Sequence, residues 1–456
     1  MRDIAGDCVQ LLPGNAADLG WRSVLNRRQK KTFRVLIGVV LVGVFSILYV
    51  TRTRATVGRP APLPLESVVS SLTMDAHAPV VLEKQDKPQT VVKELGGSRP
   101  CWPVLNRASF GRWRPRAHTP EEKAAVDKFL VTVRGYEKLP VSVQRKDNKC
   151  GNTNMAEHGR RSELSWYKAL CNPLGPKSCC YSNHTCVNLT EKECRCEGCQ
   201  DLRQQIHAEL ATWVPHDKNC KLKLYRDEDD LCPLLKNFTI HVIGDSFMRQ
   251  VFISLVGILR SRHPQGVITD AKIAKDRVEH CDTYMRYFSK CADVIPTEAV
   301  ECGGTVKFFR DSLWRASQIS KILRVFQKYV GQPNTYLVFG LGIHDMYHPD
   351  NTIQQILKPV LSVLEKKPPW PQMIWVAPQS PGLLKTPLVK QQQPESVAKF
   401  NSVVTPFLKS RGIAVLDGFN LTKDSLMSYD GTHYGKGLND LKAQILFNYF
   451  SEIRAG

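Results

Sequence analysis

Apolar and polar positions change their pattern several times along the chain. Val35–Val50 (VLIGVVLVGVFSILYV) is a run of sixteen residues without a charge. As a helix it rises about 24 Å, and with Thr51 and the snorkelling Arg34 and Arg52 it is expected to cross a membrane over 35–51. Residues 52–98, which include RPAPLPLESVV, hold no helical or strand period and read as a stem. From 99 to 232 periodic segments are short and cysteines frequent, as in a disulfide-stapled, loop-rich region.

From about 233 apolar runs alternate with helical patterns. Phe238–Ile243, Thr305–Phe309, Tyr336–Phe339, Met373–Ala377 and Ile413–Asp417 read as strands. Phe247–Leu259, Leu313–Tyr329, Thr352–Lys366, Glu395–Lys409 and Gly437–Phe450 read as helices. Short β-rich runs separated by helices of this length predict an α/β fold with a doubly wound parallel sheet. A site is then expected beyond the carboxyl ends of the strands, in a domain spanning 233–456.

Charge and cysteines bear on the compartment. Six Lys/Arg lie between Arg22 and Arg34, and only Arg52, Arg54 and Arg59 follow closely. That bias places 1–34 in the cytosol as a tail and the remainder in a lumen, a single-pass type II arrangement. Cys8 stands alone before the run, whereas fourteen cysteines follow it, an even number that suits disulfides in an oxidising lumen. Four glycosylation sequons, at Asn183, Asn188, Asn237 and Asn420, lie on the same side. A Golgi or other secretory-pathway membrane is the expected location. The CRCEGC stretch has no second CxxC at zinc-finger spacing, so no metal is expected. Residues 1–60 account for +7 of the net +20, and the rest is spread without a basic run. No nucleic-acid partner is expected.

Two short motifs bring chemistry. Gly244-Asp245-Ser246 follows the first strand and opens a helix. Glycine permits a tight turn, and free N–H groups at a helix start suit a developing oxyanion. The plain alternative is a helix cap from Asp245 or Ser246. Serine needs a base, and Asp430-Gly431-Thr432-His433 supplies an i, i+3 carboxylate–imidazole pair after the last strand. Asp227-Glu228-Asp229 spells a metal-binding motif of glycosyltransferases, but without a preceding strand it reads as a solvated acidic turn.

Ser246 in GDS with Asp430 and His433 in DxxH resembles the first and last blocks of the SGNH/GDSL hydrolases. More narrowly, Trp213-Val214-Pro215, Cys220-Lys221-Leu222, Arg249 and TVKFFRDSLW (Thr305–Trp314) are similar to the PC-esterase branch, which includes the trichome-birefringence-like polysaccharide O-acetyltransferases. The resemblance covers about residues 205–456. It implies a flavodoxin-like three-layer fold and acyl chemistry on a carbohydrate. Ser246 would be the nucleophile, His433 the base and Asp430 its orienting carboxylate. Gly244, Asp245, Arg249, Gly342 and either Gly303 or Gly304 are candidates for holding the oxyanion or substrate. His344 stands where the family pattern has an oxyanion asparagine and is a further candidate, its imidazole either donating to the oxyanion or serving a structural role, and the plant DxxHWC ending is absent.

A glycan O-acetyltransferase is the leading expectation and a carbohydrate O-acetylesterase the alternative. A non-catalytic glycan-binding protein is the reading from another class. No bound cofactor is implied; the acyl donor is left open between acetyl-CoA and an acetylated sugar. The expected partner is a glycan or polysaccharide.

Overall fold

The computed structural model describes residues 101–456 except 102, 137–143, 155–165, 173–174, 203–206, 264–265, 366–368, 383, 424–427 and 456. The described residues form one compact unit. Its strands are β1 (Gly111–Pro115), β2 (Gly151–Asn154), β3 (Trp166–Ala169), β4 (Cys179–Cys180), β5 (Cys186–Val187), β6 (Gln200–Asp201), β7 (Ala211–Pro215), β8 (Thr239–Gly244), β9 (Glu298–Glu301), β10 (Val306–Ser312), β11 (Thr335–Gly340), β12 (Gln372–Ala377) and β13 (Ala414–Asp417).

The main sheet has the order β13-β12-β11-β8-β10-β9. Five strands run parallel, but β9 pairs antiparallel with β10, so the sheet is mixed and not wholly parallel as expected. Glu298-Ala299-Val300-Glu301 buries only Ala299 fully, too little apolar pattern to mark an edge strand in advance. The chain leaves β8 on one side for β10 and returns to the other for β11. The carboxyl end of β8 is therefore the switch point at which a crevice opens.

Both sheet faces are covered, which is why the strands read as unbroken apolar runs. Ile240, Val242, Val338 and Val376 face one cluster, with the helices Ser246–Leu259 and Lys436–Ala455. Ile243, Leu337, Phe339 and Trp375 face the other, with Ile322, Phe326, Val397 and Phe400 from helices Ile319–Lys328 and Pro394–Lys409.

The region before residue 232 is more regular than expected. Pro120–Tyr136 is a seventeen-residue helix burying Val126, Phe129, Leu130 and Val133, an i, i+3, i+4, i+7 stripe. β1 and β7 pair antiparallel, with Trp113 edge-on to Trp213. All fourteen cysteines from Cys101 onward are paired, in seven disulfides. Within CRCEGC, Cys196 joins Cys199 and Cys194 joins Cys179. Asp227 is no loose turn: it caps the helix Glu228–Leu235, its carboxylate accepting the Asp229 N–H.

The membrane expectation is corrected. No helix among the described residues is long and apolar enough to cross a membrane, and residues 35–51 lie outside the described residues. The N-terminal span is accordingly removed from the fold class. The membrane partner, the type II topology and the Golgi location rested on it and go with it. The tail expected over 1–34 and the stem expected over 52–98 also lie outside the described residues.

Candidate active site

The site begins where β8 ends. Register places Gly244 opposite Gly340 of β11 and Ser312 of β10. A Cβ on Gly244 would stand 1.9 Å from the Gly340 carbonyl oxygen, and its φ of 145° lies in the region that favours glycine. Asp245 then caps the helix, Oδ1 accepting the Phe247 N–H at 3.0 Å. Ser246 is the first helical residue, with its backbone N–H at the positive end of the helix dipole. The capping alternative thus holds for Asp245, and it leaves the Ser246 hydroxyl available.

His433 arrives from the loop before the C-terminal helix. Its Nε2 lies 2.7 Å from Ser246 Oγ, and its Nδ1 lies 2.7 Å from Asp430 Oδ2. Because Nδ1 faces a carboxylate it carries the proton, and Nε2 is left to accept the serine hydroxyl. Asp430 Oδ1 also accepts the N–H groups of Thr432 (2.8 Å) and His433 (2.7 Å). Burial alone would raise the Asp430 carboxyl. The electrostatic pull of His433 and these hydrogen bonds outweigh it and hold the group below the usual carboxylate range. Tyr429 stacks parallel to the imidazole at 6.0 Å, and Phe247 meets it edge-on at 5.5 Å. Gly431 has a φ of 90°, and a Cβ there would stand 2.4 Å from the Lys385 backbone nitrogen.

Burial pushes Asp245 up to about 6, against the Phe247 N–H, His433 and Lys442. Burial likewise brings Lys442 down to about 7, with Asp245 opposing the shift.

The remaining expected residues divide. Arg249 is buried in the first turn of the Ser246 helix. Gly342, with φ 148°, precedes the short turn Ile343–Asp345 beyond β11, where the His344 ring packs against Trp314 at 5.7 Å. Both belong to the carboxyl end of the sheet. Gly303 and Gly304 do not. They form the turn from β9 into β10, beside the start of β8, about 20 Å from its far end at 3.3 Å per residue. That position, at the end of the sheet opposite Ser246, separates them from the oxyanion candidates, and their φ values of 63° and 88° suit the plain turn they form. Among the sequons Asn183, Asn188 and Asn237 are exposed, whereas Asn420 is half-buried with Nδ2 donating to Asp417.

A small cleft is lined by Phe247 and Thr432, the chain neighbours of Ser246 and His433, with Ile343, Tyr347, Pro381 and Gln392 together with Gln379 and Lys385. Lys385 Nζ donates to Thr432 Oγ1 at 2.9 Å, and Gln392 Nε2 donates to the Ile343 carbonyl at 3.1 Å. Sequence reading missed Gln379 and Lys442. Gln379 stands two residues past a readable strand, at the end where sites form. Lys442 interrupts the apolar face that carries Leu438, Ile445 and Leu446. Both signals were present.

No family model and no curated protein matches the chain. Among solved structures, a member of the lipolytic G-D-S-L family from Veillonella parvula aligns at 12% identity, covering 46% of this chain and 96% of its own, with a TM-score of 0.25. A carbohydrate acetylesterase from Sinorhizobium meliloti aligns at 12%, over 48% and 99%, with a TM-score of 0.29. A catalytic mutant of an acetylxylan esterase from Geobacillus stearothermophilus aligns at 13%, over 47% and 94%, with a TM-score of 0.26. The chain has a broad, low-identity resemblance to the GDSL/SGNH esterases and lipases over less than half its length. At these TM-scores the likeness carries no weight for reaction or substrate, and nothing in it singles out the PC-esterase branch.

Proposed function

We propose that the protein is a serine esterase in which Ser246, His433 and Asp430 transfer an acyl group from an ester to water. The unbroken hydrogen-bond chain from Ser246 Oγ through the imidazole to Asp430 carries this reading. Ser246 Oγ attacks the ester carbonyl while His433 Nε2 takes its proton. Asp430 balances the imidazolium that forms. The backbone N–H of Ser246 faces the developing oxyanion, helped by the helix dipole. Collapse breaks the bond to the alcohol, which leaves with the proton from Nε2, and the acyl group stays on Ser246. Water then gives a proton to Nε2 and attacks the acyl-serine, and Nε2 returns that proton to Oγ as the acid leaves.

An O-acetylated carbohydrate is the substrate class of this proposal. Polar Gln392, Lys385 and Thr432 beside apolar Phe247, Ile343 and Pro381 suit a hydroxylated alcohol next to a short acyl chain. An acetyltransferase would use the same first half-reaction, with a sugar hydroxyl replacing water, and no observation favours that acceptor.

Turnover of p-nitrophenyl acetate and of acetylated oligosaccharides by the purified protein, beside Ser246→Ala, tests the reading. The variant is expected to lose about 10⁴-fold or more in kcat. A Ser246→Ala rate equal to the parent's excludes the serine from the reaction.

A further inference from the structure

Beneath the site a lysine sits inside the apolar core. Lys442 is 1% exposed on the C-terminal helix. A buried ammonium requires acceptors and a counter-charge. Nζ donates to Gln379 Oε1 at 2.5 Å, and Asp245 is the negative group that acts on it. One buried cation thus answers to the residue before Ser246 and to the loop beyond β12.

While protonated, Lys442 has donors only, and this settles which way the Gln379 amide points: Oε1 toward Lys442, Nε2 away. Nε2 donates to the Thr432 carbonyl at 3.2 Å. The peptide between Thr432 and His433 is therefore held at both polar atoms. Its carbonyl accepts from Gln379, and its N–H donates to Asp430 Oδ1 at 2.7 Å. A peptide plane pinned at both ends cannot rotate, and the Cα–Cβ bond of His433 points one way. Three further bonds tie the same segments: Gly382 N–H to the Gly431 carbonyl at 3.1 Å, the Tyr434 hydroxyl to the Ser380 carbonyl at 2.9 Å and Lys385 Nζ to Thr432 Oγ1 at 2.9 Å. Of the four, only the Gln379 bond reaches the peptide that carries the imidazole.

We propose that Gln379, its amide oriented by buried Lys442, is a positioning residue that holds the His433 imidazole against Ser246. This rests on the esterase reading and adds to it a part of the site contributed by the carboxyl end of β12.

Gln379→Glu is the informative variant. It keeps an acceptor for Lys442, now charged, but offers no N–H to the Thr432 carbonyl. Thermal stability is expected to match or exceed the parent's. Covalent labelling of Ser246 by a fluorophosphonate should slow at least ten-fold, and kcat on p-nitrophenyl acetate should fall by the same factor with KM within two-fold. A role in folding alone would lower stability and leave the labelling of folded protein unchanged.

Lys442→Met, which frees the amide to turn over, is the second variant, with labelling expected to slow three-fold or more. Folded Gln379→Glu that labels within two-fold of the parent overturns the positioning role. Should that variant not fold, Lys442→Met labelling at the parental rate overturns it instead. A parent protein that neither labels at Ser246 nor turns over ester removes the esterase reading, and this inference with it. That failure shows in the parent alone, whereas failure of the positioning role shows only in the variants.

Discussion

Between Cys150 and Leu202 four disulfides tie strands of two to four residues around a small cluster of Cys150, Ala169, Leu170, Cys171, Cys180 and Leu202. Between Thr239 and Asp417 a six-stranded sheet buries both faces, and three disulfides, Cys101–Cys220, Cys232–Cys302 and Cys281–Cys291, lie in or beside the elements packed around it. Covalent closure stands in for burial where the apolar residues are too few to outweigh chain entropy. The sheet region needs less of that help and carries the proposed chemistry. The two are nonetheless joined: Leu384, one residue before the cleft-lining Lys385, is 3% exposed and packs into the disulfide-bound cluster.

That contrast predicts different responses to damage. The largest effect belongs to the sheet. Trp375 is fully buried against Phe339, and Trp375→Ala should cost about 3–5 kcal/mol with loss of the whole compact unit in one denaturant transition. A cost under 1 kcal/mol would mean that the sheet does not depend on its second face. Next is the cross-link. Replacing both Cys171 and Cys186 by Ala opens a loop with a separation of 15 residues and should cost about 3 kcal/mol. Hydrogen exchange should quicken between 150 and 202 while β8 and β11 stay protected. Equal loss of protection in the sheet would erase the distinction between the regions.

The smallest effect concerns Lys442. Its folded-state value of about 7 lies below the ordinary lysine value of 10.5, so from pH 7 to 10.5 the unfolded chain binds the extra proton. Stability therefore rises with pH in that window, by up to about 1.4 kcal/mol per pH unit for one proton. Lys442→Met should flatten this slope, measured as denaturant midpoints at pH 7 and 9. A slope identical to the parent's would assign the pH dependence to other groups.

Much of the sheet was readable in advance because its strands are continuous apolar runs: four of the five expected strands start and end within one residue of those observed, and the fifth, in β10, continues three residues further. Ser246, Asp430 and His433 were readable because each motif is local and keeps its spacing. Gly303 and Gly304 were misplaced because a glycine pair after a cysteine looks alike at either end of a sheet. Only the antiparallel β9 decides which end it is. The helix Pro120–Tyr136 was overlooked although its apolar stripe is regular, since the cysteines around it dominated the reading. Gln379 and Lys442 each left a local signal, but they lie 63 residues apart and meet only through the fold, so no spacing in the chain announces their pairing.

The seam at Gly244 and Gly340 has a consequence for how such a protein diversifies. Each glycine faces the other strand's backbone or the Met248 side chain so closely that any added carbon would collide. The floor under the serine is thus closed to substitution. Change around the cleft is left to side chains above that floor, such as Ile343, Tyr347, Pro381, Lys385 and Gln392, which can alter without parting the strands below.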